Sequence, residues 1–155
     1  MKPIINKKAS WNYNLFEKFE AGIILNGNEI KSARVGKVSL DEAYVLIRDG
    51  DAVLLNSHIA PYEKGVGGPA DPRRDRKLLL HKKELDYLAG KLSGSNLVVV
   101  PTRLYFKRNY AKIEIALAAG KKKYDKRETL KRREQEKEAR TLLRRDKIEA
   151  QKQRK

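Results

Sequence analysis

Trp11-Asn12-Tyr13-Asn14-Leu15-Phe16-Glu17-Lys18-Phe19-Glu20-Ala21-Gly22-Ile23-Ile24-Leu25 is the stretch that decides the fold. Aromatic and branched side chains recur through it, which predicts one long strand over residues 11–25. Gly22 inside a strand signals a bulge or a sharp coil, the device by which a sheet bends into a small closed barrel. Asn26-Gly27-Asn28 then reads as a turn. Asn28 is placed to cap a short helix that runs through Arg34 and stops at Gly36. Residues 43–47 and 52–55, joined by Asp49-Gly50, give a hairpin with a type I′ turn. Ile59 and Pro61 close that region. Residues 62–76 are a Gly-, Pro- and Arg-rich loop, and 77–80 a short buried strand. Leu85, Leu88 and Leu92 share one helix face that Gly94 ends. Strands follow at 97–100 and 104–106, then a turn at 107–110, then a last strand at 111–117. The expected class is mainly β: a small oligonucleotide-binding-type β-barrel with two or three short helices and a basic C-terminal tail.

The chain has 155 residues, with 36 Lys and Arg against 20 Asp and Glu, a formal charge of +16, and no Cys. The last fact removes disulfides, thiolate metal sites and cysteine nucleophiles. No apolar run reaches the roughly 18 residues of a membrane helix, and the start reads as no signal peptide. A cytoplasmic protein without a membrane role is expected. The surplus positive charge calls for an anionic partner, with nucleic acid first and an anionic membrane surface second.

Composition changes at Gly120. Residues 120–155 hold 16 Lys and Arg against 7 Asp and Glu, a net of +9, with few apolar side chains. Two regions are therefore expected: 1–120, the RNA-binding barrel, and 121–155, a tail that is disordered alone and becomes helical when bound. A solvated tail that only aids solubility is the alternative. Glu128 with Arg132 and Glu136 with Arg140 are helix-supporting pairs.

Catalytic chemistry finds little support. There is no phosphate-binding Gly-x4-Gly-Lys-Ser/Thr stretch, and Gly65-Val66-Gly67-Gly68 leads into Pro69 and an Arg cluster instead of a helix. His58 and His81 cannot build a metal site by themselves. Glu17 and Glu20 are three apart on one strand, which puts them on opposite faces unless a bulge intervenes. No enzyme activity, cofactor or metal is expected. For RNA, Trp11, Tyr13, Tyr105, Phe106 and Tyr110 are candidate stacking groups, interleaved with Lys7, Lys8, Lys107, Arg108 and Lys112. Tyr13 and Phe106 serve equally well as barrel filling. The loop Asp71-Pro72-Arg73-Arg74-Asp75-Arg76-Lys77 either offers cations to phosphates or pairs with its own acids.

Six collinear stretches carry a family resemblance: Asn6-Lys7-Lys8-Ala9, Phe19-Glu20-Ala21-Gly22-Ile23, the run from Gly27 to Lys37, His58-Ile59-Ala60-Pro61-Tyr62, the run from Asp71 to Leu80, and Gly120-Lys121-Lys122-Lys123-Tyr124-Asp125-Lys126-Arg127. Together they resemble the SsrA-binding protein family (SmpB), the tmRNA-binding factors of trans-translation. The resemblance implies an oligonucleotide-binding barrel that binds the tRNA-like domain of tmRNA. It implies delivery, with elongation factor Tu reached through tmRNA, to ribosomes stalled without a stop codon. The tail would enter the empty mRNA channel near the decoding centre of the small subunit. By position, Glu20, Leu79 and Lys112 fall where the family contacts tmRNA, and Lys31, Arg34 and Lys37 follow its basic helix. Tyr124, Asp125, Lys126 and Arg127 fall where the tail meets the ribosome. Trp11 stands where the family often has His, and Asn28 where it often has Thr; Trp can stack but takes no proton. A monomeric state completes the set of expectations.

Overall fold

The structure is a computed structural model that describes residues 2–65 and 71–153, without the side chains of Lys123, Tyr124 and Asp125. Most of the Gly-rich piece between Gly65 and Pro69 thus lies outside the described residues. Two compact units emerge, Met1–Gly120 and Lys121–Lys155.

The first unit is mainly β. In chain order it holds β1 (Ile4–Ile5), α1 (Lys7–Asn12), β2 (Tyr13–Ile23), α2 (Gly27–Arg34), β3 (Val38–Ser39), β4 (Tyr44–Arg48), β5 (Asp51–Leu55), β6 (His58–Ile59), β7 (Arg76–Leu79), α3 (Lys82–Leu92), β8 (Leu97–Lys107) and β9 (Tyr110–Gly120). The pairing order is β1-β8-β4-β5-β7-β2-β9, and β8 also pairs with β9. That last pairing closes a ring, to which β1 is an added edge strand. The ring is no clean barrel: β4 meets β8 through the single pair Val45–Val99. All ring pairings are antiparallel.

The quoted stretch does not begin as a strand. Asn6 caps α1, its side chain accepting from the Ala9 amide, so Trp11 and Asn12 are helical and β2 starts at Tyr13. Asn6 is also 5% exposed, and its amide donates to the carbonyls of Leu40 (2.9 Å) and Pro101 (2.8 Å). A buried side chain with all these partners fixes the helix start more firmly than strand propensity can oppose.

The bulge exists but not at Gly22. Gly22 pairs in register with both Leu79 and Lys112, and the shift lies between Leu15 and Lys18. A matching shift lies between Pro101 and Arg103 in β8, which runs unbroken in place of the two strands expected there. An extra residue reverses the face of everything beyond it. Before the shifts, Val100 and Ala118 pack with Ala9, Tyr13 and Leu15 in a satellite cluster beneath α1. Beyond them, Ala21, Ile23 and Leu104 join Leu54, Leu78, Leu88, Ile113 and Ile115 in the main core. Fully burying each large aliphatic side chain there contributes about 1.5–3 kcal/mol.

The turns follow the sequence closely. Asp49 (φ 52°) and Gly50 (φ 78°) join β4 to β5, and Arg108 (φ 50°) and Asn109 (φ 66°) join β8 to β9. Both pairs have the two positive φ values of a type I′ turn. The α2 cap is Asn26, not Asn28: the Asn26 side chain accepts from the Glu29 amide at 2.9 Å, and Glu29 accepts from the Asn26 amide at 3.3 Å. Asn28 instead abuts Gly65, where a Cβ would come within 2.8 Å of its amide group.

The second unit contains α4 (Lys123–Gln153), a single 31-residue helix. Every residue from 130 to 153 is exposed. Among the described residues no helix is long and apolar enough to cross a membrane.

Candidate nucleic-acid interface

Beyond the two register shifts, the outer face of the sheet carries a row of four residues on four strands. Leu79 pairs with Gly22, Gly22 with Lys112, and Lys112 with Tyr105. Two residues along lies a second row, Glu20 with Glu114 and Glu114 with Arg103. The fold thus brings the expected residues Glu20, Leu79 and Lys112 onto one surface. Leu79 is 55% exposed, an apolar side chain left in water in the middle of a polar sheet.

Glu20 is the more exposed acid of its row, and it is held on two sides. The Tyr105 hydroxyl donates to Glu20 Oε2, and Lys107 Nζ lies 3.8 Å from Oε1. The Tyr105 hydrogen bond, with the charges of Lys107, Lys112 and Arg103, holds the Glu20 carboxyl below its usual value. Burial and the Glu20 carboxylate together push the Tyr105 hydroxyl up to about 12. At neutral pH the pair is therefore a carboxylate and a neutral phenol. Glu114 is tied down by Thr102 Oγ1 (2.8 Å), Arg103 Nε (2.9 Å) and Lys18 Nζ (3.3 Å). Burial raises its pKa, but those three partners outweigh it and the net shift is downward.

The basic residues of the α2 region divide. Arg34 lays its guanidinium 5.4 Å from the centroid of Phe106, near the β8–β9 turn. Lys31 sits 5.4 Å from the Tyr62 ring, and Lys37 lies 3.8 Å from Glu63. Ile30 lines a groove with Leu79 and Lys112, so α2 borders the same surface. Trp11 does not: it rides on α1 at the far end of β2, nine residues of strand, about 30 Å, from Gly22. Lys126 and Arg127 lie in the early turns of α4; the side chains of Tyr124 and Asp125 are outside the described residues.

Two arginines of the Arg loop, Arg74 and Arg76, are held by an acid outside the loop and not by its own Asp71 or Asp75, whereas Arg73 is exposed. Glu29, only 5% exposed, takes Arg74 Nε at 2.5 Å and Nη2 at 2.7 Å, and Arg76 Nη2 at 3.1 Å. Arg76 is fully buried and also donates to Ser57 and to the Pro72 and Arg74 carbonyls. Burial raises the Glu29 pKa, but its hydrogen bonds from the two arginines prevail and its carboxyl sits below the ordinary value. This cluster ties the start of α2 to β7 and so fixes the helix beside Leu79. No local pattern announces it, because Glu29 and Arg76 are 47 residues apart. The pairing of Arg103 with Glu114 has no local signal either, since it depends on the shift at Pro101.

Exposed cations, aromatic rings and one restrained carboxylate on a sheet surface are the make-up of an RNA-binding protein. Among the described residues no group of three or more His, Asp or Glu side chains could hold a metal ion. The sequence profile of the SmpB protein family matches residues 4–145, so the chain belongs to that family. It is 54% identical over 130 residues to the SsrA-binding protein of Trichodesmium erythraeum (strain IMS101), covering 83% of each chain. It is 50% identical over 139 residues to that of Latilactobacillus sakei subsp. sakei (strain 23K), covering 90% of this chain and 89% of the relative. A solved chain described as "tmRNA-SmpB: a journey to the center of the bacterial ribosome" superposes with a TM-score of 0.67 at 47% identity, over 79% of this chain and 87% of that one.

Proposed function

We propose that this chain is a non-enzymatic adaptor of ribosome rescue that binds the tRNA-like domain of tmRNA and helps deliver it to stalled ribosomes for trans-translation. The observation that carries the reading is the Leu79–Gly22–Lys112–Tyr105 row with Glu20 beside it. Lys112 meets a phosphate. Glu20, kept ionised, accepts hydrogen bonds from 2′-hydroxyls or base edges, which the Lys107 ammonium, a donor only, could not do. Leu79 packs against the RNA, and Lys31, Arg34 and Lys37 extend the contact along α2. Trp11 belongs to a separate contact at the far end of β2. In this reading the ring of strands works as an oligonucleotide-binding-type fold, and elongation factor Tu is reached only through tmRNA.

The tail, 121–155, is the ribosome-directed region: disordered alone, it folds in the empty mRNA channel. Tyr124, Asp125, Lys126 and Arg127 then lie near the decoding centre. The protein acts as a monomer in the cytoplasm. The test is binding at physiological salt to the tRNA-like domain of tmRNA, to an ordinary tRNA and to an unstructured RNA of equal length. A strong preference for the first supports the reading. Equal binding to all three overturns it in favour of a general basic RNA-binding role driven by the +16 charge.

A further inference from the structure

Of the eight asparagines in the chain, Asn26 alone precedes a glycine. Both residues of that Asn26-Gly27 step are exposed, and a Cβ built on Gly27 would meet nothing within 4 Å. Gly27 is the first residue of α2, a position whose N–H has no partner inside the helix and lies at the positive end of the helix dipole. Its amide nitrogen and the Asn26 side-chain carbon are the two atoms that close a five-membered succinimide ring. The α2 cap opposes that closure. Asn26 is extended, with ψ 171°, so the Gly27 nitrogen is not eclipsed with the Asn26 Cβ as the ring requires. Closure needs rotation about the Asn26 Cα–C bond. That rotation breaks the bond from the Ile30 amide to the Asn26 carbonyl (3.0 Å). It also disturbs the bonds from the Glu29 amide to Asn26 Oδ1 (2.9 Å) and from the Asn26 amide to Glu29 Oε2 (3.3 Å).

We infer that Asn26 is a site of spontaneous deamidation, gated by opening of the α2 cap. In the open state the Gly27 nitrogen gives its proton to solvent base and attacks Asn26 Cγ. The N–Cγ bond forms, the Cγ–Nδ2 bond breaks, and ammonia leaves with a proton from water. Water then adds to one of the two ring carbonyls. Opening at Cγ leaves an aspartate on an unchanged main chain. Opening at the backbone carbonyl leaves an isoaspartate, whose main chain runs through Cβ. The two products act differently on the fold. Aspartate keeps an oxygen where Oδ1 stands and caps as well as asparagine does. Isoaspartate inserts an extra main-chain carbon at the cap, so the capping box with Glu29 is lost. Glu29 also holds Arg74 and Arg76, so the tie between α2 and β7 loosens with it. The helix that is set free carries Lys31 and Arg34. Other asparagines lack the same conjunction. Asn6 caps α1 in a similar way, but it is 5% exposed and precedes Lys7, whose side chain hinders attack. Asn56 (φ 60°) and Asn109 (φ 66°) are exposed in turns, but they precede Ser57 and Tyr110.

The experiment incubates the full chain in mildly alkaline buffer and follows each asparagine by peptide mass spectrometry, with isoaspartyl methyltransferase labelling to separate the two products. Ammonia loss is expected at Asn26 ahead of every other asparagine, Asn56 and Asn109 included. The urea-denatured chain should react faster at Asn26 than the folded chain. The ratio should match the hydrogen-exchange protection of the Ile30 amide, because both reactions pass through the same opening. Gly27→Ala, which the open space at that residue accommodates, should slow Asn26 to the level of the other asparagines in both the folded and the denatured chain. In the purified isoaspartate form the Ile30 amide should exchange about 2- to 30-fold faster than in the unmodified chain, the range for losing one cap. Asn26→Asp should stay within about twofold, because aspartate and asparagine cap alike. Faster loss at Asn56 or Asn109 would overturn the site. Equal rates in the folded and denatured chains would overturn gating by the cap. Denatured Gly27→Ala reacting as fast as denatured wild type would overturn the ring mechanism. An isoaspartate form with unchanged Ile30 exchange would overturn the effect on α2.

Discussion

Glu29, ion-paired with two arginines, and Glu136, with an arginine four residues on in sequence, are both helix glutamates in opposite settings. In the Met1–Gly120 unit Glu29 is buried against two arginines, one of them on β7. In α4 Glu136 sits in water, as does every residue from 130 to 153. The first unit uses Arg74, Arg76 and Arg103 to hold its shape and presents other cations, Lys112 among them, on its surface. The second has no buried side chain among the described residues, and 121–155 keep 16 Lys and Arg against 7 Asp and Glu. A fixed surface suits a partner of fixed shape. A basic segment without a core suits a polyanion that supplies the shape itself.

That division is broken most sharply by deletion. Removing residues 121–155 should leave affinity for the tRNA-like domain within a few-fold of wild type and abolish tagging on stalled ribosomes. Filter binding and a tagging assay read the two quantities separately, and equal loss of both would refute the division of labour.

The next largest effect lies in the Glu29 cluster. Glu29→Ala leaves a fully buried Arg76 without its carboxylate, a change that costs about 3–5 kcal/mol. It also removes half of the α2 capping box. Urea denaturation of the full chain measures it, and a loss under about 1 kcal/mol, the scale of an exposed pair, would show that the cluster does not hold the ring to α2. The same cluster sets an acid limit. The Glu29 and Glu114 carboxyls lie below their ordinary value of 4.5, so each contributes stability at higher pH. That contribution is complete above about pH 4.5 and is lost as pH falls through the lower folded-state values. A thermal midpoint flat from about pH 7 to 5 and falling below about 4.5 is expected, with a shallower fall in Glu29→Gln.

How far the sequence discloses such features depends on their range. The type I′ turn at Asp49-Gly50 is legible because Asp-Gly between strands is a local signal, whereas 107–110 reads only as a turn, its Arg-Asn pair not announcing the type. The helix ended near Gly94 is legible for the same reason, the φ of that glycine being +66°. Face assignment along β2 and β8 is not, because one irregularity at 15–18 and one at 101–103 each reverse the alternation. Pro101 breaks a strand pattern on paper; in the sheet it sits at the irregularity, where a missing N–H is tolerated. Trp11 reads as strand because its aromatic neighbours outvote Asn6, whose capping and distant carbonyl partners a linear reading cannot weigh. Of the interface, Glu20, Leu79 and Lys112 come from family resemblance, and only the register explains why they meet.

Lys112→Ala sharpens the surface side of the comparison by a smaller amount. Losing one phosphate contact should flatten the slope of log affinity against log salt by about 0.7–0.9 and weaken binding alike for all RNAs that dock on this face. An unchanged slope would move Lys112 off the phosphate path.

The smallest effects belong to the tail, where each helical pair acts alone. Glu128 with Arg132 and Glu136 with Arg140 favour helix by about 0.2–0.5 kcal/mol each. Arg127 with Lys131, Glu134 with Glu138, and Arg140 with Arg144 are like charges at the same spacing and cost similar amounts. Leu130, Leu142, Leu143 and Ile148 are 46–62% exposed, so apolar burial adds little to offset nucleation. A peptide of residues 121–155 should therefore show little helix by circular dichroism in dilute buffer. Polyanionic RNA offsets the repulsion between the like-charged cations and should raise the helical signal, whereas Glu136→Ala should change it only slightly in either condition. A stable monomeric helix in buffer alone would mean that α4 is a preformed rod, and the partner would then select it instead of shaping it.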